Sequence, residues 1–370
     1  MDKVLVAAVV LTATTALSAA LVPVTRRLAR RAGIMDEPGP RKVHGLAMPR
    51  AGGVAVFASF VAVVLAGHLA NPALYELDWV RSHVGEAFVL LREADKVETK
   101  LLALVGGASM AFLVGLADDV LGKGFPVAVK ALGQFLAALT LVLADVRTSL
   151  FPFEWLNVGV TLLWLVGMTN AFNLLDNMDG LCAGVAFVAS SVFLINAWTL
   201  GEFFISLILL AFMGSLLGFL FFNFHPASVF LGDCGSHFIG YVMGSLTLLE
   251  RYVSHASGSL FPVLMPVLVL ALPLVDTATV VVIRLHERRP IYVGDSRHLS
   301  HRLVSLGFSQ RAAVLFIYLT TFCLGLGAAS LVDATVWQSL LVLLQSAGFV
   351  ALILFLMFKE RRASPRRTGP

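Results

Sequence analysis

The sequence predicts an all-α polytopic membrane protein, a single multi-pass domain over residues 1–370 built as a bundle of about eleven transmembrane helices. Three observations predict it. Hydrophobic residues make up 58% of the chain, charged residues only 14%, and the mean hydropathy is +0.87; a soluble domain has roughly half and about a quarter. The apolar residues fall in blocks of about 20, the length that crosses a bilayer. The basic residues between those blocks collect on alternate sides. This composition excludes a soluble enzyme, a disordered chain and a nucleic-acid binder, and the net charge of +4 reflects topology. Cys182, Cys234 and Cys323 are too few and too scattered for a disulfide framework or a zinc site.

In chain order the expected spans are roughly 4–24, 51–71, 100–117, 126–146, 155–175, 181–200, 203–222, 236–254, 260–283, 312–331 and 337–357. The first is preceded only by Asp2 and Lys3 and followed by Arg26, Arg27, Arg30 and Arg31. That polarity suits an uncleaved anchor with its N-terminus outside. Alternating from there, the inside segments hold 20 of the 27 Lys and Arg residues, as the positive-inside rule expects. The C-terminus is then inside, and residues 358–370 form a basic cytoplasmic tail. The long outside loop at roughly 72–99 carries Trp79, Val80, Val84, Ala87, Phe88 and Leu91 at helical spacing. It reads either as a helix lying on the membrane surface or as a solvated loop.

Acidic residues carry more information than basic ones, because membrane insertion does not ask for them. Asp118 and Asp119 close the third span, Asp176 and Asp179 close the fifth, and Asp233 follows the seventh. All five fall on the inside face of a map drawn without them. Neighbouring carboxylates repel unless a cation sits near, so their convergence suggests Mg²⁺, which takes oxygen ligands and bridges substrate phosphates. Gly232, Gly235 and Ser236 flank Asp233 and let the backbone approach a ligand. Asn170 and Asn173 precede Asp176 at three-residue steps that keep them on one helix face. Asn173 either lends an amide oxygen to the metal or bonds a neighbouring helix.

Two inside loops add basic chemistry. One contains Lys42, His44 and Arg50; the other contains Arg297, His298, His301 and Arg302. Arginines offer forked donors to phosphate oxygens, and histidine is not required for topology, so both loops suit a diphosphate. Asp276 lies inside the ninth span, where an ionisable group is a functional candidate by default. It either lines the inner cavity or holds a neighbouring helix.

At these residues the sequence resembles the polyprenyl-phosphate N-acetylhexosamine-1-phosphate transferases. This family includes the undecaprenyl-phosphate GlcNAc-1-phosphate transferases and the phospho-MurNAc-pentapeptide transferases of bacterial envelopes. The matching motifs are P-R-x-G-G at 49–53, the pair Asp118-Asp119, N-A-x-N-x-x-D-x-x-D-G-L at 170–181, G-D-x-G-S at 232–236 and P-x-x-D-T at 273–277. One departure stands out. GlcNAc-type members usually carry D-R-x-H-x-H-H, whereas residues 295–301 read DSRHLSH, with Ser300 in place of a histidine. The three consecutive histidines of the MurNAc-pentapeptide branch are also absent, so the loop leans to the GlcNAc type.

The resemblance implies that a UDP-N-acetylhexosamine, most simply UDP-GlcNAc, donates its sugar-1-phosphate to a polyprenyl phosphate such as undecaprenyl phosphate. The products are a polyprenyl-pyrophosphoryl sugar and UMP. It also implies Mg²⁺ as cofactor, with Mn²⁺ as a substitute, and a site on the cytoplasmic face of a bacterial inner membrane. It leaves a homodimer open and involves no nucleic acid. Asp118 and Asp119 are then the acid–base candidates, and Asp233, with Asn173 second, the metal ligands. Asp176, Asp179, Phe230, Lys42, His44, Arg297, His298, His301 and Arg302 are the substrate-binding candidates. Phe230 would stack on uracil or else serve as an ordinary core phenylalanine. Direct transfer and a covalent aspartyl intermediate both remain open, and a transporter of an anionic solute is the alternative from another class.

Overall fold

The protein is described by a computed structural model covering residues 2–37, 47–75, 95–252, 261–290 and 297–363. The Trp79 segment, Lys42 and His44 lie outside the described residues. The chain divides into two compact units, 1–251 and 252–370.

The first unit contains α1 (Asp2–Ala32), a hairpin of β1 (Met35–Asp36) and β2 (Met48–Pro49), then α2 (Gly52–Tyr75), α3 (Asp95–Leu121), α4 (Val127–Leu143), α5 (Glu154–Leu175), α6 (Leu181–Thr199), α7 (Phe203–Asn223) and α8 (Gly232–Leu249). The second contains α9 (Met265–Val269), α10 (Ala271–His286), α11 (Leu299–Ser305), α12 (Gln310–Ala329) and α13 (Val336–Ala363). Among the described residues, eight helices are long and apolar enough to cross a membrane: α1, α2, α3, α5, α6, α7, α12 and α13. The segment 261–269 and α10 together make a ninth candidate, bent by 67° at the break. The fourth and eighth spans expected from sequence correspond to α4 and α8. The first is a shorter apolar helix of 17 residues. The second opens with Asp233, Ser236 and His237, which make its first turns polar.

In the first unit α8 is the central helix. Fifteen of its 18 residues are buried, and it packs against α2, α3, α5, α6 and α7. A helix covered on all sides belongs to the core rather than to a lipid-facing rim. Phe238 on α8 meets the edges of Phe57, Phe60 and Phe212. Where α2 crosses the start of α8, Gly53 and Gly235 bring backbone against backbone, and a Cβ on either would collide with the backbone of the other helix.

The strand-like stretch after β2 completes this crossing. Phe230 donates its N–H to Pro49 O at 2.8 Å, Gly52 N–H reaches Phe230 O at 2.9 Å and Gly53 N–H reaches Leu231 O at 2.8 Å. Residues 49–53 are thereby zipped to 230–231, which delivers Arg50 to the first turn of α8.

In the second unit α11 packs on α12 and α13. Its start is tied to α10 by Asp276, whose carboxylate accepts the Leu299 N–H at 2.7 Å and lies 2.7 Å from His298 Nδ1.

The Gly53 contact yields a test. Gly53→Val should overpack the α2–α8 crossing and lower the melting temperature of the detergent-solubilised protein by at least about 5 °C. Gly67→Ala, on the same helix with open space around it, should leave it unchanged.

Candidate active site

At one end of the first unit the last turn of α3, the first turn of α4, the last turn of α5 and the first turn of α8 meet. Asp118 and Asp119 come from α3, Lys130 from α4, Asn173 from α5 and Asp233 from α8. Arg50 enters from the strap described above.

The Asp119 side chain is wholly buried and closes the start of α8. Its two oxygens accept the backbone N–H groups of Asp233 and Cys234, each at 2.9 Å. The first N–H groups of a helix have no partner inside it, so a carboxylate from another helix satisfies them and the positive end of the helix together. The approach requires Gly232, whose φ is +81° and where a Cβ would lie 2.6 Å from Asp119 Oδ2.

Two cations complete the cluster. Arg50 Nε lies 3.0 Å from Asp119 Oδ1 and its Nη2 lies 2.5 Å from Asp233 Oδ1. Lys130 Nζ bridges Asp118 Oδ2 at 2.7 Å and Asp233 Oδ2 at 3.2 Å, and reaches Asn173 Oδ1 at 3.4 Å. Asn173 donates from Nδ2 to Asp233 Oδ1 at 3.2 Å and to Ser236 Oγ at 3.0 Å. Burial by itself would lower the Arg50 pKa, but the Asp233 and Asp119 carboxylates outweigh it and hold the guanidinium firmly charged.

Asp176 ends α5 and retains partial exposure at its surface. It nevertheless sits among enough protein that desolvation pushes its carboxyl up to about 8, against the pull of Arg50 and with the push of Asp233 and Asp119. Asp179 is used differently. It lies 2.7 Å from His225 Nδ1 and accepts the Ala227 N–H at 3.1 Å. It therefore anchors the loop from α7 to α8. Asn223 anchors the same loop by accepting Gly180 N–H at 3.0 Å and donating to Val229 O at 2.9 Å. Phe230 sits half-buried on that loop.

The sequence reading thus brought Asp118, Asp119, Asn173 and Asp233 together, with Asp176 in their electrostatic field. It placed Arg50 only in a basic loop suited to a diphosphate, not beside these acids, and it counted Lys130 toward topology. A signal for Lys130 was available: a lysine inside the expected fourth span is an intramembrane charge.

The remaining candidates belong to the second unit. His298 and Asp276 are buried and paired, which fixes the orientation of the imidazole. Arg302 is buried, with its guanidinium donating to the backbone carbonyls of Arg297, at 2.7 Å, and Met357. Arg297 pairs with Glu287 at 2.7 Å. His301 is half-buried, and burial, aided by His298, lowers its pKa. Of the two readings of Asp276, the one in which it holds a neighbouring segment matches its contacts.

The donor set fits Mg²⁺. Among the described residues, Asp118, Asp119 and Asp233 pair with two cations, Arg50 and Lys130, which leaves a carboxylate in excess, and Asp176 adds a further carboxyl group in their field. Among the described residues no three His, Cys, Asp or Glu side chains form a metal cage by themselves.

Residues 101–250 match the family model described as glycosyl transferase family 4. The chain is 34% identical over 342 residues to a Bacillus subtilis (strain 168) protein named probable undecaprenyl-phosphate N-acetylglucosaminyl 1-phosphate transferase, covering 90% of this chain and 87% of the relative. It is 32% identical over 346 residues to the decaprenyl-phosphate N-acetylglucosaminephosphotransferase of Mycolicibacterium smegmatis, covering 86% and 80%. A phospho-N-acetylmuramoyl-pentapeptide-transferase of Bacillus licheniformis is 30% identical over 249 residues, covering 64% and 71%.

The adjacent aspartates should separate cleanly by mutation. Asp119→Ala strands two helix N–H groups and leaves Arg50 less compensated, so it should destabilise the protein by about 3–5 kcal/mol. Asp118→Ala removes a partly exposed partner of Lys130, which keeps Asp233, and should cost about 1 kcal/mol or less. Thermal unfolding in detergent checks both, and equal losses would contradict the assignment.

Proposed function

Because the chain belongs to glycosyl transferase family 4, we infer that it transfers a sugar phosphate to a polyprenyl phosphate, and we propose UDP-N-acetylglucosamine as the donor. The donor assignment is supported by the extent of similarity. Relatives named for N-acetylglucosamine phosphate transfer align over 82–90% of this chain, and those named for the muramoyl-pentapeptide over 64–68%. The observation that carries the reaction is the gathering of four carboxylates and two cations at the end of one helical unit. Binding groups of transporters instead lie midway along interrupted helices.

In this reading an oxygen of the polyprenyl phosphate attacks the sugar-linked phosphorus of the donor. The bond from that phosphorus to the oxygen bridging the two phosphates breaks, and UMP leaves with the bridging oxygen. A phosphate monoester has its second pKa at about 6, so any proton still on the acceptor passes to Asp118, which is partly exposed and whose Oδ2 faces Lys130. Asp119 is reserved for structure, since both its oxygens are engaged by α8. Phosphoryl transfer depends mainly on positioning and charge neutralisation. Lys130 and Arg50 are the groups that neutralise charge from the protein side.

Asp233 would hold Mg²⁺, with Asn173 second, and the ion would supply charge compensation to the diphosphate. Asp176 would support the nucleotide end and Phe230 would stack on uracil. Within the second unit, His298, oriented by Asp276, and His301 are the substrate-binding candidates we keep, while Arg302 holds the start of α11. The basic residues of the inside segments favour a site on the cytoplasmic face of a bacterial inner membrane.

Purified protein in detergent, given undecaprenyl phosphate and Mg²⁺, should release UMP from UDP-GlcNAc and not from UDP-MurNAc-pentapeptide. Chelation should abolish release and added Mg²⁺ should restore it. Asp233→Asn should lower turnover at least about 100-fold and raise the Mg²⁺ needed for any residual activity. Unchanged turnover and an unchanged Mg²⁺ titration would place the metal elsewhere.

A further inference from the structure

One turn deeper than the charged cluster, three of its four helices, α4, α5 and α8, carry a second polar layer. Lys130 and Gln134 are four residues apart on α4, Asn170 and Asn173 three apart on α5, and Asp233 and His237 four apart on α8. Such spacings place each pair on one helix face. Gln134, Asn170 and His237 contact one another directly. Asn170 Nδ2 donates to Gln134 Oε1 at 2.8 Å, Gln134 Nε2 donates to Asn170 Oδ1 at 3.3 Å, and Gln134 Nε2 lies 3.3 Å from His237 Nε2.

The orientation of every group in this layer follows from one carbonyl. Val166 O can only accept, and it takes a hydrogen bond from Asn170 Nδ2 at 2.8 Å. That fixes the Asn170 amide, which presents both an acceptor and a second donor to Gln134 and so fixes the Gln134 amide. Gln134 Nε2 can only donate, so His237 Nε2 must accept and the imidazole proton sits on Nδ1. That Nδ1 is buried and has no hydrogen-bond partner. His237 itself is inaccessible to solvent. The layer is thus a neutral, directional lock that gains its orientation at the cost of one unsatisfied buried donor. A packed apolar layer of the same size would carry no such cost.

Resting on the transferase reading above, we propose that Gln134, Asn170 and His237 are positioning residues that set the register of α4, α5 and α8. Through that register they hold Lys130 between Asp118 and Asp233. Lys130 reaches three separate oxygens at 2.7, 3.2 and 3.4 Å from three different helices, so a small slide of α4 against α5 or α8 breaks at least one contact. A displacement of about 1 Å in a catalytic arrangement can reduce rate on the order of 100-fold.

The test uses the full chain in detergent with Gln134→Leu, His237→Leu and the conservative His237→Gln, whose side-chain oxygen can accept from Gln134. Two readouts are taken. The first is kcat and KM for UDP-GlcNAc by UMP release. The second does not depend on turnover: reductive methylation of Lys130, followed by mass spectrometry. Gln134→Leu and His237→Leu should lower kcat about 10- to 100-fold, with KM changing less than about 3-fold, and should raise the Lys130 methylation rate at least about 3-fold. His237→Gln should recover most of both. Gly67→Ala sets the baseline for an unrelated helix change.

Wild-type kcat and wild-type Lys130 reactivity in Gln134→Leu would overturn the proposal. So would losses that His237→Gln fails to recover while that variant retains the wild-type melting temperature. If the wild-type protein released no UMP from any UDP-sugar yet Lys130 reactivity rose as expected, the positioning layer would stand and the transferase reading would fall.

Discussion

A helix that starts inside a protein exposes N–H groups that water cannot reach, and α8 starts inside the first unit. Asp119 resolves this by bringing a carboxylate from the end of α3 onto the N–H groups of Asp233 and Cys234. The rest of the site depends on that contact. It fixes where α8 begins, and therefore where Asp233 points. It requires Gly232 in a left-handed conformation, and it places a buried negative charge that Arg50 must answer. The P-R-x-G-G strap answers it: hydrogen bonds to residues 230–231 bring Arg50 in, and Gly53 lets its backbone lie against Gly235.

Charge balance then shapes the chemistry. A buried charge left unpaired is far more costly than a paired one, yet a site fully neutralised by its own side chains would have little attraction for a metal. Here Arg50 and Lys130 each touch two carboxylates, and Asp176 adds a further acid in the same field. The residual negative charge suits a divalent ion arriving with phosphate ligands. The cations suit the phosphates themselves. Lys130 brings a compact ammonium held among Asp118, Asp233 and Asn173, whereas Arg50 spreads its charge over a planar fork set between Asp119 and Asp233.

The family assignment and the geometry inform each other at the adjacent aspartates. Membership in glycosyl transferase family 4 gives the reaction class, but two neighbouring acids of one type do not declare which is chemical and which is structural. Burial and hydrogen bonding distinguish them: Asp119 is enclosed and doubly engaged, while Asp118 keeps some exposure and one lysine partner. In the second unit hydrogen-bond partners differ in a similar way. His298 is oriented by Asp276, whereas Arg302 spends its guanidinium on backbone carbonyls.

By itself the sequence determined that the chain is a membrane helix bundle and which acids belong to one end of it. Block length and hydropathy are local properties, and a carboxylate at the end of an apolar run is conspicuous because insertion does not favour it. It did not determine the roles of Arg50 and Lys130, since a cation beside a span is expected for topology whether or not it serves a site. Nor did it decide that Asp179 pins a loop to His225 and Ala227, or that Gln134, Asn170 and His237 meet. Those outcomes depend on which helix faces which, and residues 36 to 103 positions apart in the chain become neighbours only when α4, α5 and α8 pack. Tertiary structure decided them because a hydrogen bond is satisfied by distance and direction in space, which spacing along one helix does not encode.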